Sequence, residues 1–544
     1  MNVRKLYFTL IGAAVMVAMV ILMAGCGSDS DDSNAQRTAD IWQNPYMSPN
    51  PNNNVHCDSY MSDSYAFAGP TSARQTAVAQ VEFSFVKDPQ TGDDRFVPLG
   101  ECAAQAFDAQ GNIQTVCAGL PDQQDADAPY ERYVATIDRN TMQIVALYPF
   151  LFTPKAGDPF SFGGAGYFYQ DNQYRMVTAM SNGHVLVLRR TPSTAGGIDG
   201  YNVDNDYNIT GNGGAVPVPQ GLTKLDLYAV VPDKNGNIWF TTSQAVVGAI
   251  TPGNPVKVVW IDLNDPNGTG VRKEQLDGEY QQIYNSHSVD EGDSASGSSG
   301  VYVLTTHRLY RLGVGGDGNP VIDWYADYDR GTEQKSGQVS QGSGTTPTIF
   351  RMEGRRFVTI ADNAKYMNVN VYRAETNLLA GEQRLFAQLA PFGQNEDVSD
   401  ENSLIVAPGT DDKSMDIYAE NNYGNDDIRS TLGAAVTKPG FVRMHLTSDG
   451  SFTVASLNNS VAAPSVVSKM SLASNIVYTY DKRPDGWYLT GLDGNNLNNI
   501  RFSTKVGPGA PGYNNFYAAL SLDADGKTVW IGTLFGLTRV QLVK

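Results

Sequence analysis

From residue 133 onward this 544-residue chain repeats one phrase about every 56 residues, and no other feature limits its fold so strongly. Each copy carries a short apolar stretch, a turn containing Asp or Gly, and a β-rich stretch such as Ile238-Trp239-Phe240-Thr241-Thr242. A further stretch then closes on an apolar-basic pattern. Copies begin near Tyr133, His184, Ile238, Val301, Phe357, Met415, Ile476 and Val529, at intervals of 51 to 63 residues. Alternating Val, Ile, Tyr and Thr at that period, without sustained helical periodicity, is what four-stranded blades around an axis produce. The fold class is therefore all-β, a β-propeller of four-stranded blades. Eight units favour eight blades, with seven or six allowed because the first unit is degenerate. Each blade exposes two apolar faces that only its neighbours cover, so the ring must close. Val81-Glu82-Phe83-Ser84-Phe85 is the expected closing strand, beside a last blade that ends at Leu542.

Residues 1–25 read as an export signal. Arg4 and Lys5 precede the apolar run from Leu6 to Met23, and small residues follow before Cys26. Met23-Ala24-Gly25-Cys26 resembles the lipobox of bacterial lipoproteins. That resemblance implies cleavage before Cys26 and acylation of its thiol, palmitate among the chains, and multiple acyl chains anchor durably. In a Gram-negative host, Gly27 in place of the aspartate that signals inner-membrane retention implies the outer membrane, on its periplasmic or surface face. Residues 26–75, rich in Asn, Ser, Asp and Pro, read as a polar tether and irregular lead-in, and 76–544 as the propeller.

The chain carries 39 basic and 57 acidic side chains, 37 and 57 once the signal is removed, and has no basic run. Nucleic acid is excluded as a partner on electrostatic grounds. With 41% hydrophobic residues the chain can bury a large core. Cys102 and Cys117 enclose a short loop in a compartment that permits disulfides and are expected to pair. Cys57 is then left over. His56-Cys57-Asp58 has no second Cys/His cluster at ligand spacing, so a packed or re-paired thiol is expected there rather than a metal.

Asp233-Lys234-Asn235-Gly236-Asn237-Ile238-Trp239-Phe240 and Asp523-Ala524-Asp525-Gly526-Lys527-Thr528-Val529-Trp530 resemble repeats of the regulator-propeller, NHL and streptogramin-lyase-like families. Val301 to Leu312 resembles the strand pair of quinoprotein-dehydrogenase-like propellers, and the region from Thr136 onward is similar to a group of exported bacterial propellers. Quinone-dependent alcohol dehydrogenases of this fold carry adjacent cysteines, which this chain lacks, so pyrroloquinoline quinone is not expected. Such motifs specify fold better than activity.

Polar residues recur where each blade begins near the axis and after its second strand. Asn285, Thr346, Glu401, Asn402 and Asn514 stand at the first place, and Asp362, Asn363, Glu420 and Asn421 at the second. Together they predict a ligand funnel at one mouth of the channel. Glu401, Asn402, Asp362 and Asn421 are the oxygen donors that would hold calcium, as in calcium-dependent lactonase-type propellers. His287 and His307 are the candidate catalytic bases. No Gly-x-Ser-x-Gly elbow occurs. The expected function is a membrane-anchored module binding a small polar ligand or a protein partner. The alternatives are an extracytoplasmic enzyme at the funnel, either a calcium-dependent hydrolase, lactonase or lyase or a quinoprotein-like dehydrogenase, and an outer-membrane assembly subunit.

Overall fold

A computed structural model describes residues 41–120, 128–153, 166–273, 278–293, 297–409, 411–426 and 437–543. Cys26 and the export signal lie outside the described residues. Eight four-stranded antiparallel sheets form the blades of a β-propeller. Blade 1 runs through Cys102–Phe107, Ile113–Cys117, Tyr130–Ile137 and Ile144–Phe152; blade 2 spans Tyr169–Gln170 to Gly200–Asn208 and blade 3 Leu227–Pro232 to Lys257–Asp262. Blades 4, 5 and 6 begin at Ser288–Val289, Thr348–Met352 and Ile405–Pro408, and blade 7 at Lys469–Ser471. In blade 8, Leu520–Leu522, Thr528–Thr533 and Gly536–Leu542 are completed by Gln75–Val81 from the other end of the chain.

That closing strand lies earlier than expected. Gln75 pairs with Leu542 and Val81 with Leu537, whereas Phe83–Lys87 turns away to pair with Asp94–Pro98. The turn from Asp88 to Asp93 offers Phe83–Lys87 a partner a few residues away, and so short a loop costs little closure entropy. The ring joint itself is a backbone hydrogen bond from Ala519 N to Ala103 O at 2.7 Å. The repeat starts also differ in phase. From Ile238 onward they fall on second strands, but Tyr133 and His184 fall on third strands.

In blades 3, 4 and 8 the turn between first and second strands is clamped by an aspartate. Asp233 accepts from Asn235 N at 2.8 Å, Asn237 N at 3.0 Å and the indole Nε1 of Trp239 at 3.1 Å. Gly236 in that turn takes φ 83°, a conformation cheap only for glycine. Asp523 holds Asp525 N and Trp530 Nε1 likewise, and Asp290 holds Gly292 N and the Tyr302 hydroxyl. Each clamp fixes a fully buried aromatic of the second strand between neighbouring blades. Cys102 and Cys117 form a disulfide across the first two strands of blade 1.

The lead-in is irregular in backbone, yet it is among the most buried parts of the chain. Asn44 Nδ2 donates to Pro232 O, Ser48 N to Gln170 O and Asn52 Nδ2 to Gln105 O, so the segment meets the first strands of blades 3, 2 and 1. Further on, Val289 N donates to Ser59 O, Ile349 N to Tyr60 O, Val406 N to Ser62 O and Met470 N to Asp63 O. Ser64–Tyr65 adds a parallel strand to blade 7. Residues 44–65 thus fill the channel and give the exposed inner edges of the first strands the partners that buried backbone requires.

Candidate functional site

Each first strand runs from the face where blades hand over to one another, the loop face, towards the face of the clamped turns, the turn face. The N-terminal segment comes in on the turn face, where Tyr46 lies against Gly236. It stops short of the loop face. There a small cavity remains, open at its mouth, with Val55 and His56 on the side of the N-terminal segment.

Every blade contributes to the wall. Blades 1 to 4 supply Ala103, Tyr167, Tyr228, Tyr284 and Asn285, each at or near the start of the first strand, and blades 5 to 8 supply Val339, Thr346, Glu401, Asn402, Val467 and Tyr517. The Tyr167 and Tyr228 rings lie 5.5 Å apart. Tyr167 donates its hydroxyl proton to Asn285 Oδ1 at 3.2 Å, and Asn285 Nδ2 donates to Gly344 O. Tyr517 has φ 59°, a strained backbone for so bulky a residue, and its hydroxyl donates to Gly337 O at 2.7 Å.

Glu401 is 6% exposed. Its Oε2 accepts from Val339 N at 3.0 Å, while Oε1 has no hydrogen-bond partner. The carboxyl group lies where a side chain at Gly344 would sit, so only glycine there leaves it room. Burial pushes its pKa up to about 8. An unpaired buried carboxyl oxygen is costly, which makes this the most unusual polar group of the wall.

Beneath it, His56 anchors the floor. Its Nδ1 lies 3.1 Å from Asp63 Oδ2 and 2.7 Å from Ser403 Oγ, and Lys469 Nζ pairs with Asp63 and donates to Val55 O at 2.5 Å. Burial pushes the Asp63 carboxyl up, but Lys469 and His56 outweigh it and hold it below the usual range. Burial also holds the His56 imidazole below its ordinary value. In a nucleophilic triad the serine and the aspartate meet opposite ring nitrogens. Here they share Nδ1, so Ser403, His56 and Asp63 form a pin between floor and wall.

Of the predicted funnel residues, Asn285, Thr346, Glu401 and Asn402 come together on the cavity. The others are spent elsewhere. Asp362 accepts from Ala364 N, Asn368 N, Asn368 Nδ2 and Asn370 Nδ2, stapling its own loop. Asn363 donates to Arg330 O and Glu333 O, Asn421 donates to Asp397 O, and Asn514 accepts from Trp487 Nε1. Glu420 accepts from Asn402, Asn422 and Ser468 behind the wall, and burial raises its pKa to about 7.

The structure divides the residues of the predicted calcium set. Glu401 and Asn402 adjoin, Asp362 and Asn421 are locked in their own loops, and among the described residues no group of three or more His, Cys, Asp or Glu could hold a metal. The histidine assignment also changes. His287 is fully buried, with neither ring nitrogen bonded and its pKa pushed down to about 3 by burial, and His307 is fully buried beside Thr306. Neither lines the cavity; the histidine that does is His56. Cys57 is a buried free thiol whose pKa burial raises to about 12.

Fold and site together define an eight-bladed β-propeller whose channel is filled by its own N-terminal segment and opens on one face as a tyrosine-lined cavity around a carboxyl group. No protein-family model matches the chain. An uncharacterized protein of Archaeoglobus fulgidus is 26% identical over 344 residues, which cover 60% of this chain and 63% of that protein, so the match spans less than two thirds of the relative's length. Among solved structures, the quinohemoprotein alcohol dehydrogenase of Comamonas testosteroni is similar over 94% of this chain and 84% of its own, at 10% identity and TM-score 0.47. Sqt1 of Chaetomium thermophilum is similar over 86% of this chain and 100% of its own, at 10% identity and TM-score 0.47. The Dos1 propeller is similar over 86% and 96%, at 8% identity and TM-score 0.44. At such identities no activity transfers from them to this chain.

Proposed function

We propose that the protein is an exported lipoprotein, anchored through acylated Cys26, whose propeller binds a small polar ligand in the cavity around Glu401. The observation that carries the binding reading is the unpartnered Oε1 of Glu401, buried in a wall to which all eight blades contribute. Preformed concave sites with few, well-placed polar groups are how proteins hold small molecules. The lipobox-like Met23-Ala24-Gly25-Cys26 supports the anchor.

Two measurements test this reading. Cys26→Ala should move the protein from the membrane to the soluble fraction of fractionated cells; retention in the membrane defeats the anchor. A panel of small polar metabolites should contain compounds that raise the melting temperature of the wild type, as a native-state ligand must, but not that of Glu401→Gln. A panel without any such compound defeats the binding reading.

A further inference from the structure

We propose that the ligand this cavity selects is a small alkylammonium ion, held by ring contacts with the tyrosines and by the charge of the Glu401 carboxylate in the wall. The inference rests on the binding reading above and narrows it to one chemical class.

Among the described residues Glu401 is the one carboxylate that lines the cavity, which is too few anionic oxygens for a hard divalent ion. What surrounds it instead is aromatic. Tyr167, Tyr228, Tyr284 and Tyr517 come from four different blades, and a cation near such rings is attracted by their quadrupoles, most strongly where water is excluded. A neutral sugar would leave the charge of the Glu401 carboxylate unpaired; an ammonium pairs it. An excess of 57 acidic over 39 basic side chains favours cations over anions around the chain as a whole. The strained backbone of Tyr517 is the kind of cost that persists where a side chain is held in place for a ligand.

The groups that face Glu401 fix how binding responds to pH. Tyr167 and Tyr517 interact with it electrostatically from blades 2 and 8, Asp400 adjoins it in sequence, and His56 lines the floor. Burial keeps Asp400 protonated well above its ordinary range and the tyrosines protonated, and the Lys469 ammonium beneath the floor is committed to Asp63 and Val55 O, so Glu401 must release its proton for the ammonium. Affinity then falls as pH drops below about 8.

Isothermal titration of the purified propeller with methylammonium and trimethylammonium chloride at pH 8.5, against sodium chloride at equal ionic strength and against methanol, glycerol and glucose, tests this. The alkylammonium ions should bind and the neutral compounds should not. Glu401→Gln should lower the affinity at least tenfold, and so should each of Tyr228→Leu and Tyr284→Leu. The wild type at pH 6 should bind about 100-fold more weakly than at pH 8.5, a readout that needs no variant. Glucose or glycerol binding in a Glu401-dependent manner without alkylammonium binding overturns the inference and leaves the site intact. Alkylammonium binding that is equal at pH 6 and pH 8.5, or unaltered in Glu401→Gln, overturns it as well. If none of these probes binds, the alkylammonium inference fails, and the metabolite panel alone decides whether the cavity is a binding site.

Discussion

Asp63 and Lys469, 406 positions apart, form an ion pair with both side chains wholly shielded from solvent. It joins the N-terminal segment to the first strand of blade 7, and removing one partner strands the other as an uncompensated buried charge. Lys469→Met is therefore expected to cost about 3–5 kcal/mol in urea denaturation, and Asp63→Asn combined with Lys469→Met is expected to recover part of that loss. Loss below about 1 kcal/mol in the single variant would show that the segment is not pinned there.

Two buried carboxyl groups tie stability to pH. Glu401 and Glu420 hold their protons up to about 8 and 7, against an ordinary 4.5, because burial disfavours their charged forms. Between pH 4.5 and these values the folded chain binds more protons than the unfolded one, so stability falls as pH rises through that window. Glu401→Gln with Glu420→Gln should make the dependence of the denaturation midpoint on pH from 5 to 8 shallower, the remainder coming from Glu101, Asp58 and Asp400, which burial raises in the same way. An unchanged slope would place the titration elsewhere.

The clamp of Trp239 gives a local prediction. Asp233→Ala leaves the indole N–H and two backbone N–H groups without their acceptor, at a cost of about 1–3 kcal/mol. Tryptophan fluorescence should shift to longer wavelength in the native state as the turn loosens. An unshifted spectrum with full stability would mean that water replaces the carboxylate.

The disulfide across blade 1 closes a loop of sequence separation 15. On the loop-entropy account, replacing Cys102 and Cys117 by Ser should cost about 3 kcal/mol, read as a lower denaturation midpoint that reducing agent produces in the wild type but not in the variant. Equal midpoints for oxidised and reduced wild type would contradict it.

Much of this was legible in the repeat. Period and alternation encode blades, because each blade obeys the same local rules, and the polar positions before each first strand encode a funnel, of which Asn285, Thr346, Glu401 and Asn402 are the part that faces the cavity. The remainder depends on contacts far apart in sequence. Asn52, His56 and Asp63 look like a polar lead-in because nothing local reveals that blades closing around them supply their partners. Asp362 reads as a metal ligand, but the donors that consume it sit two to eight residues on, in a loop whose path no pattern fixes. The tyrosines were visible at the right positions, since Tyr228, Tyr284 and Tyr517 each stand within a few residues of a first strand. A search confined to amides and acids passes over them.

The threaded N-terminal segment also sets a clock. Residues 44–65 and 75–81 leave the ribosome first, but their partners in blades 7 and 8 come last. Neither the channel filling nor the ring joint can form until almost the whole chain has emerged, so long-range closure is the late and slow step of folding. If the chain is exported as proposed, that order keeps the beginning of the polypeptide uncommitted until its end arrives on the same side of the membrane.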